Sequence, residues 1–345
     1  MELLQRLCET PGIPSREEPI RSVIRAELEP LATTVKVDAL GNLIAYRQGQ
    51  GGPKVMIAAH MDQIGFMARH VDDNGFIRLQ PVGGFDPRTL VAQRVRVHGK
   101  EDLPGVLMPA TKPTHLLDES ERGKALQLDD LFVDVGLSGE RAKELVPLGT
   151  PITFDRTCND LGDVMVSPAM DDRVSVYVMI EAIRGLGEHA AEVYAVASSQ
   201  EEVGLRGATV AAFGVEPDIG LALDSTLAVD IPGSTEADRV SKLGDGTAIK
   251  IMDSSLICDP RLVEHCRKIC SEEDIPHQME ILPRGGTDGG AIQRTRDGVP
   301  AITISTPTRY VHTVNEMVNK QDVAATVDLV RRFIETAHEV DLSWE

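Results

Sequence analysis

Residues 55–62 read Val-Met-Ile-Ala-Ala-His-Met-Asp, an apolar run that ends in a histidine and an aspartate. The apolar residues do not alternate with polar ones, which is typical of a parallel strand buried on both faces of a sheet. Similar runs at 193–197, 219–223 and 301–304 are also followed by acids or a histidine, the last after a Pro-containing loop. Because an open α/β sheet builds its site at the carboxyl ends of its strands, the sequence predicts one active site there.

Six residues combine suitable chemistry with a strand end or a helix start, and they are His60, Asp171, Glu201, Glu202, Asp224 and His312. Imidazole and carboxylate ligands favour zinc, cobalt or manganese over copper(I) or iron–sulfur clusters. Each residue alone also has a structural interpretation, as a strand-end histidine, a helix cap or a solvated acid. It is the set, with its shared placement, that indicates a metal site.

The acids suggest different roles. Asp171 begins a predicted helix beside Asp172, and one carboxylate there can bridge two cations about 3.5–4 Å apart. Glu201 and Glu202 are adjacent on a strand-to-helix turn, so one can bind metal while the other remains free to act as a general base. Asp62 follows His60 by two residues and is expected to orient it by accepting its second ring N–H.

Charge balance supports two divalent cations. The predicted ligand set is His60, Asp171, Glu202, Asp224 and His312. It gives each cation one histidine, one terminal carboxylate and a share of Asp171. Three carboxylates and one bridging hydroxide cancel the charge of two divalent ions, so the predicted site is neutral, as a buried site should be.

The pattern of elements predicts an α/β fold in two domains. Strands and helices alternate in residues 1–66 and 164–345, which we expect to form one discontinuous catalytic domain. Residues 67–163 carry short alternating strands and turns, and they predict an inserted small β-barrel or sandwich. Residues 111–128 within it are polar and predict a long loop.

Composition narrows the class of protein. The 345 residues are 42% hydrophobic, and the net charge of −19 argues against nucleic-acid and anionic-membrane partners. No apolar run reaches the roughly 18 residues that span a bilayer, and a signal-peptide pattern is missing, so we expect a cytoplasmic enzyme. Among the five cysteines, Cys266 and Cys270 lie four residues apart on a predicted helix, which favours two half-buried thiols over a soft metal pair.

Short motifs in a fixed order extend over nearly the whole chain: Ala59-His60-Met61-Asp62, Met170-Asp171-Asp172-Arg173, Gln200-Glu201-Glu202-Val203-Gly204-Leu205-Arg206-Gly207, Ala222-Leu223-Asp224, Gly285-Gly286-Thr287-Asp288-Gly289 and Tyr310-Val311-His312. In order and spacing they resemble the M42 metallo-aminopeptidases, a family that includes the tetrahedral (TET) aminopeptidases. The resemblance implies a zinc-peptidase-like domain of three layers, a mixed sheet flanked by helices, with an inserted small β-barrel.

The resemblance also implies a role for each site residue: His60 and Asp224 hold one metal, Glu202 and His312 hold the other, Asp171 bridges them, Glu201 is the base and Asp62 the orienting residue. One departure is Gln63, where the family commonly has Glu. Because this residue is not a ligand, we expect tuning of activity rather than its loss. The implied activity is removal of N-terminal residues from short cytosolic peptides with two zinc or cobalt ions, or manganese.

Three other interpretations are open to the same residues. A metal-dependent deacylase or amide hydrolase acting on N-acylated small molecules would need no free α-amine. A glucanase would use paired carboxylates without metal, and the two histidines of the set argue against it. A non-catalytic scaffold would lack a ligand or the base, and none is missing here.

The resemblance implies a homo-oligomer as well, a dodecamer built from dimers. The inserted domain carries none of the proposed ligands, and its short strands are expected to leave edges that need cover, which favours a role in self-association. The 111–128 loop carries Lys112, His115, Arg122 and Lys124, and is expected to reach a neighbouring subunit or a substrate carboxylate. The alternative is an ordinary solvated loop on a monomer.

Overall fold

The computed structural model describes residues 1–119 and 124–343. In chain order its strands are β1 (Thr34–Val37), β2 (Leu43–Arg47), β3 (Lys54–His60), β4 (Gly65–Val71), β5 (Ile77–Val82), β6 (Gln93–His98), β7 (Asp102–Pro109), β8 (Leu131–Asp134), β9 (Pro151–Phe154), β10 (Asn159–Asp160), β11 (Val164–Ser167), β12 (Glu192–Ser198), β13 (Ile219–Leu227), β14 (Thr247–Met252), β15 (His277–Ile281), β16 (Ala301–Arg309) and β17 (Glu316–Asn319). Its α-helices are α1 (Glu2–Glu9), α2 (Glu18–Leu28), α3 (Pro87–Leu90), α4 (Gly139–Leu145), α5 (Met170–Arg184), α6 (Arg206–Val215), α7 (Pro260–Glu272), α8 (Asp288–Gln293) and α9 (Lys320–Thr336).

The chain folds into two compact units. The first, which we call the sheet unit, comprises Met1–Gln63, Cys158–Val311 and Asn315–Glu345. The second, the barrel unit, comprises Ile64–Thr157 together with the short segment His312–Val314. Among the described residues, no helix is long and apolar enough to cross a membrane.

The sheet unit is built on a mixed sheet with the strand order β1-β2-β12-β3-β13-β16-β17-β11-β10, and β14 and β15 extend it from β16. Its centre is parallel: β3 pairs with β12 on one side and with β13 on the other, and β13 pairs with β16. Residues 55–60 of β3 are all buried, as the unbroken apolar run predicts. The mixed α/β fold expected from the sequence is therefore confirmed.

Helices cover both faces of this sheet. Along β3, Val55 and Ile57 pack into one core with α5, α7 and α9, whereas Met56 and Ala58 pack into a second core with α6 and α8. Successive residues of a strand point to opposite faces, so an apolar run can serve both cores at once. The result is the expected three-layer arrangement, and the carboxyl ends of the parallel strands share one edge.

The barrel unit contains a closed sheet with the strand order β4-β5-β8-β7-β6-β9. Its core includes Phe66, Ile77, Val95, Leu107 and Val133. Of the two architectures expected for this stretch, the structure shows the barrel and not the sandwich. A closed barrel has no free strand edges, so the expectation that this domain needs a partner to cover its edges is wrong.

The loop expected at 111–128 contains a short 3-10 turn at Thr114–Leu116, and a second one begins at Leu128. Residues 120–123, which include Arg122, lie outside the described residues. The expectation that this loop reaches a neighbouring subunit remains a prediction.

A buried ion pair lies near the edge of the sheet unit. Lys250 of β14 and Glu280 of β15 are cross-strand neighbours, and their side chains are fully buried and paired with each other. The Thr226 hydroxyl of β13 donates a hydrogen bond of 2.6 Å to Glu280 Oε1. Since burying a charge is costly without a partner, each member of this pair depends on the other.

Lys250→Met is expected to destabilise the protein by about 3–5 kcal/mol, because Glu280 is left buried without its cation. The double variant Lys250→Met, Glu280→Met should recover most of that loss, since it removes both charges. Urea unfolding of the three proteins measures the difference. Lys268→Met is the control, because its pair with Glu272 is exposed at 3.9 Å and should contribute less than about 1 kcal/mol. A single Lys250 variant as stable as wild type would contradict this reasoning.

Candidate metal centre

The parallel register of the central strands brings the first predicted ligands together. His60 is the last residue of β3 and lies opposite Ser198 of β12. Ala222 of β13 lies opposite Ala58, so Asp224 is level with His60 and on the same face. The sequence placed Asp224 after its strand, but the structure has it inside β13, which continues to Leu227 because β16 still pairs with it there.

The run before His312 also differs from the expectation. The expected Pro-containing loop is strand, since β16 continues through Pro307 to Arg309. Pro307 lies between the part of β16 that pairs with β14 and the part that pairs with β17. Proline has no backbone N–H to donate, but neither β14 nor β17 pairs with residue 307, so no hydrogen bond to these strands is lost and proline is tolerated.

Asp171 enters the centre from the first turn of α5, where its backbone is not yet helical. His60 Nε2 lies 3.1 Å from Asp171 Oδ1. Ligand atoms of His60, Asp171, Asp172 and Asp224 all lie within 4.8 Å of one another, and all four residues are buried. A carboxylate oxygen of Glu202 is within the same distance of Asp171, so Asp171 adjoins ligands on two sides.

Asp172 is a member of this cluster that the sequence did not single out as a ligand. Its position beside Asp171 favours a helix-start acid, which is normally solvated. In the structure it is completely buried. The available signal was the pair of adjacent acids ahead of an apolar helix, and it could not separate a cap from a ligand.

His60 is oriented by the backbone of Asp62. Its Nδ1 lies 3.0 Å from the Asp62 carbonyl oxygen and 3.8 Å from the Asp62 carboxylate. An Nδ1–H that donates to this carbonyl leaves the Nε2 lone pair facing Asp171, which is the tautomer a metal needs. The sequence predicts that the Asp62 carboxylate accepts this ring N–H, but the hydrogen-bond partner in the structure is the Asp62 main-chain carbonyl.

The Asp62 carboxylate instead holds the turn that carries the two glutamates. It accepts the backbone N–H of Glu201 at 3.0 Å and that of Glu202 at 3.2 Å. Glu201 Oε2 lies 3.9 Å from His60 Nε2. The adjacent acids thus differ in placement, with Glu201 beside the histidine and Glu202 within reach of Asp171.

The electrostatics of the cluster fit a divalent cation. Burial raises the pKa of Asp172 well above its usual range, and the neighbouring Asp224 carboxylate raises it further. Burial likewise raises the pKa values of Asp224 and Glu201. For His60 burial alone would lower the pKa, but the surrounding carboxylates, led by Glu201, raise it well above the usual value. Acids packed this closely need positive charge beside them, and an imidazole with carboxylate oxygens is a suitable donor set for zinc, cobalt or manganese.

His312 belongs to the segment that clusters with the barrel unit. Its backbone is left-handed, with φ of 62°. Its ring adjoins Gly84, where an added Cβ would lie 3.3 Å from His312 Nδ1. Its role as a ligand of the second metal remains a prediction from the sequence.

Two further buried acids support the centre, and sequence reasoning missed both. Asp288 accepts the hydroxyl of Ser198, the residue opposite His60, and burial raises the pKa of Asp288 to about 6. Glu316 Oε2 accepts the backbone N–H of Asp171 at 3.0 Å. Asp288 lies in the glycine-rich motif, to which the sequence analysis gave no role. Glu316 has no apolar run before it that could have drawn attention to it.

Comparison with known proteins shows the family to which the chain belongs. The M42 glutamyl aminopeptidase family matches residues 41–329. A lysyl aminopeptidase of Pyrococcus furiosus is 38% identical, with 99% of each chain covered. The solved aminopeptidase APDkam598 of Desulfurococcus kamchatkensis is 38% identical with a TM-score of 0.92, covering 97% of this chain and 94% of its own. The TET1 peptidase of Pyrococcus horikoshii is 33% identical with a TM-score of 0.87, covering 96% and 98%.

The chain belongs to the M42 family of aminopeptidases, since the family match covers most of its length and the relatives match it nearly end to end. It is a hydrolase of the peptidase class.

Zinc- or cobalt-reconstituted protein is expected to hold about two ions per chain, and Asp171→Asn should lower the content of both, because the shared carboxylate is lost. Metal analysis after dialysis measures the stoichiometry. Asp129→Asn, at an exposed acid of the barrel unit, is the control. Wild-type protein that retains less than about one ion per chain would contradict the prediction, whereas one weak site as purified would not.

Proposed function

We propose that the chain is a dinuclear-metal aminopeptidase that removes N-terminal residues from short peptides. The proposed ligands are His60, Asp171, Glu202, Asp224 and His312, with Glu201 as the base. The observation that carries the proposal is the buried cluster of His60, Asp171, Asp172 and Asp224, with the Glu201 carboxylate 3.9 Å from His60 Nε2.

His60, Asp171, Glu202, Asp224 and His312 would hold two divalent cations, which would supply Lewis-acid polarisation of the scissile carbonyl and lower the pKa of a nucleophilic water. Glu201 accepts the proton of the attacking water and then passes it to the leaving amine. Asp62 keeps Glu201 in position through the backbone N–H bonds of the turn. The buried His60, fixed by the Asp62 carbonyl, presents Nε2 towards the centre.

The acid-rich surroundings favour a substrate with a free α-ammonium group. Asp171, Asp172, Asp224 and Asp288 are all buried in the sheet unit, and Glu201 and Glu202 lie beside this cluster, so the six carboxylates carry more formal negative charge than two divalent cations would neutralise. A positively charged substrate terminus would therefore be attracted to the site, which makes the activity that of an exopeptidase. Assays with Lys, Leu and Glu p-nitroanilides, each with a free or an acetylated amine, test this requirement.

A deacylase or amide hydrolase acting on N-acylated small molecules is the second candidate, because it would use the same metals and base. It is distinguished by the same assay. Release of acetate from the acetylated compounds would favour the deacylase, whereas release of p-nitroaniline from the free-amine compounds alone supports the aminopeptidase.

Glu201→Gln is expected to lower kcat by about 10²–10⁴-fold while the metal content stays at the wild-type level, because the change removes a proton acceptor and not a ligand. Steady-state kinetics and metal analysis on the same preparation measure both quantities. Glu216→Gln, at an exposed glutamate after α6, is the control and should behave as wild type. Equal loss of metal and turnover would contradict the separate roles of Glu201 and Glu202.

We also propose self-association, with a dodecamer built from dimers as the assembly and the barrel unit as a contact surface. The related TET1 peptidase of Pyrococcus horikoshii can assemble into a tetrahedron or a large octahedral shell. The barrel unit carries exposed apolar side chains, of which Leu148 at 82% exposure is the most accessible. An exposed apolar side chain of this size is available for a contact between subunits.

Light scattering at micromolar concentration is expected to show a large homo-oligomer, and Leu148→Asp should weaken it, because a charge would be placed in an apolar contact. A protein that is monomeric over this range while fully active as a peptidase would contradict the assembly proposal and leave the catalytic one intact.

The cytoplasm is the location that we propose for this activity. All five cysteines are free thiols. Free thiols without disulfides are typical of proteins that work in a reducing compartment.

A further inference from the structure

We propose that Glu17 is a positioning residue of the active site, which fixes the turn that carries Glu201 and Glu202. Glu17 lies at the start of α2, far from this turn in the sequence, and it is 1% exposed. The inference rests on the role proposed for Glu201 as the base.

The turn is held by backbone N–H groups that point at buried carboxylates. Gln200 N–H donates to Glu17 Oε1 at 3.3 Å. The next two N–H groups, those of Glu201 and Glu202, donate to Asp62 at 3.0 and 3.2 Å. Three consecutive donors are therefore bound by two carboxylates from different parts of the chain. Gln200 has a left-handed backbone, with φ of 55°, a conformation that costs energy in a residue other than glycine and so needs such support.

The buried carboxylate of Glu17 does not cap the backbone of its own helix. Glu17 is the N-cap residue of α2, but its side chain makes no capping bond to that helix. Oε1 accepts the N–H of Ser15 at 2.8 Å, and Oε2 lies 3.8 Å from the Arg21 guanidinium. Since burying a carboxylate is costly, its bonds to the Ser15 turn and to Gln200 are what keep it in place.

The segment that delivers Glu17 is anchored to the metal centre by Arg173. This guanidinium is fully buried and donates to the carbonyl oxygens of Leu7 and Thr10, the latter at 2.9 Å. Gly12, whose carbonyl accepts the N–H of Gln63 at 3.0 Å, ties the same segment to the residue after Asp62. Arg173 itself follows Asp171 by two residues. The N-terminal segment thus connects the start of α5, the end of β3 and the Glu201 turn.

Loosening the turn that carries Glu201 should lower the rate of catalysis more than it weakens the binding of substrate. Misplacement of a catalytic group by about 1 Å can lower the rate by about 10²-fold. Loss of the Glu17 acceptor frees Gln200 N–H, so that Asp62 becomes the only buried carboxylate that still accepts from these three consecutive N–H groups. We therefore expect kcat to fall while KM and metal content change little.

The test compares Glu17→Ala, Glu17→Gln and Glu17→Asp in the full-length metal-loaded protein, with Leu p-nitroanilide as the substrate. Glu17→Ala is expected to lower kcat by about 10–100-fold, because the acceptor is gone. Glu17→Gln keeps an amide oxygen at the same reach, so its kcat should stay within about threefold of wild type. Glu17→Asp keeps the charge but is shorter, and its kcat should fall between these two. The control is Glu18→Ala, at the exposed neighbouring glutamate, and it should match wild type.

A double variant separates positioning from general loss of structure. If Glu17 acts through Glu201, then Glu17→Ala in the Glu201→Gln background should lower kcat no further. An additive loss, a wild-type kcat for Glu17→Ala, or a Glu17→Gln variant as impaired as Glu17→Ala would each overturn the proposal. Wild-type protein without aminopeptidase activity would instead defeat the proposed function, so the two failures are distinguishable.

Discussion

The candidate metal centre of this protein depends on the repulsion among carboxylates that the fold buries side by side. Asp171, Asp172 and Asp224 lie within 4.8 Å of one another and of His60, and burial raises the pKa values of Asp172 and Asp224 well above the usual range. Such a cluster is unfavourable by itself, because each ionised acid disfavours the next. The rest of the fold must hold these groups together in spite of that repulsion, and a bound divalent cation would relieve it.

The clustered acids and His60 are held in place by strands and by the start of a helix rather than by loops. His60 ends a strand that has parallel neighbours on both sides, and Asp224 lies inside the adjacent strand. Asp171 is held at the start of α5 by Glu316, whose side chain accepts its backbone N–H. Groups fixed on strands and helix ends keep their geometry better than groups on mobile loops, and a metal site requires that precision.

Hydrogen bonds from backbone N–H groups also fix the geometry of the candidate site. Asp62 and Glu17 place buried carboxylates beneath the turn that carries Glu201. Each of these acids accepts main-chain N–H groups, and Glu17 also has the Arg21 guanidinium at 3.8 Å, so neither acid needs a metal ion to compensate its charge. The buried acids are therefore of two kinds: those that accept backbone N–H groups and those that face the candidate metal centre. Burial alone would not distinguish the two kinds.

Much of the architecture follows from the sequence by itself. An unbroken apolar run predicts a strand buried on both faces, alternating patterns predict the β insertion, and the strand-end acids and histidines predict a site at one edge of the sheet. These are local or periodic properties.

Tertiary structure alone decided that Asp224 lies within β13 and that the β insertion closes into a barrel. It also decided that Asp172, Asp288 and Glu316 surround the centre, and that Asp62 orients His60 through its main chain. The physical reason is that register, burial and hydrogen-bond partners depend on residues distant in the sequence, so an acid's neighbours cannot be read from its local pattern.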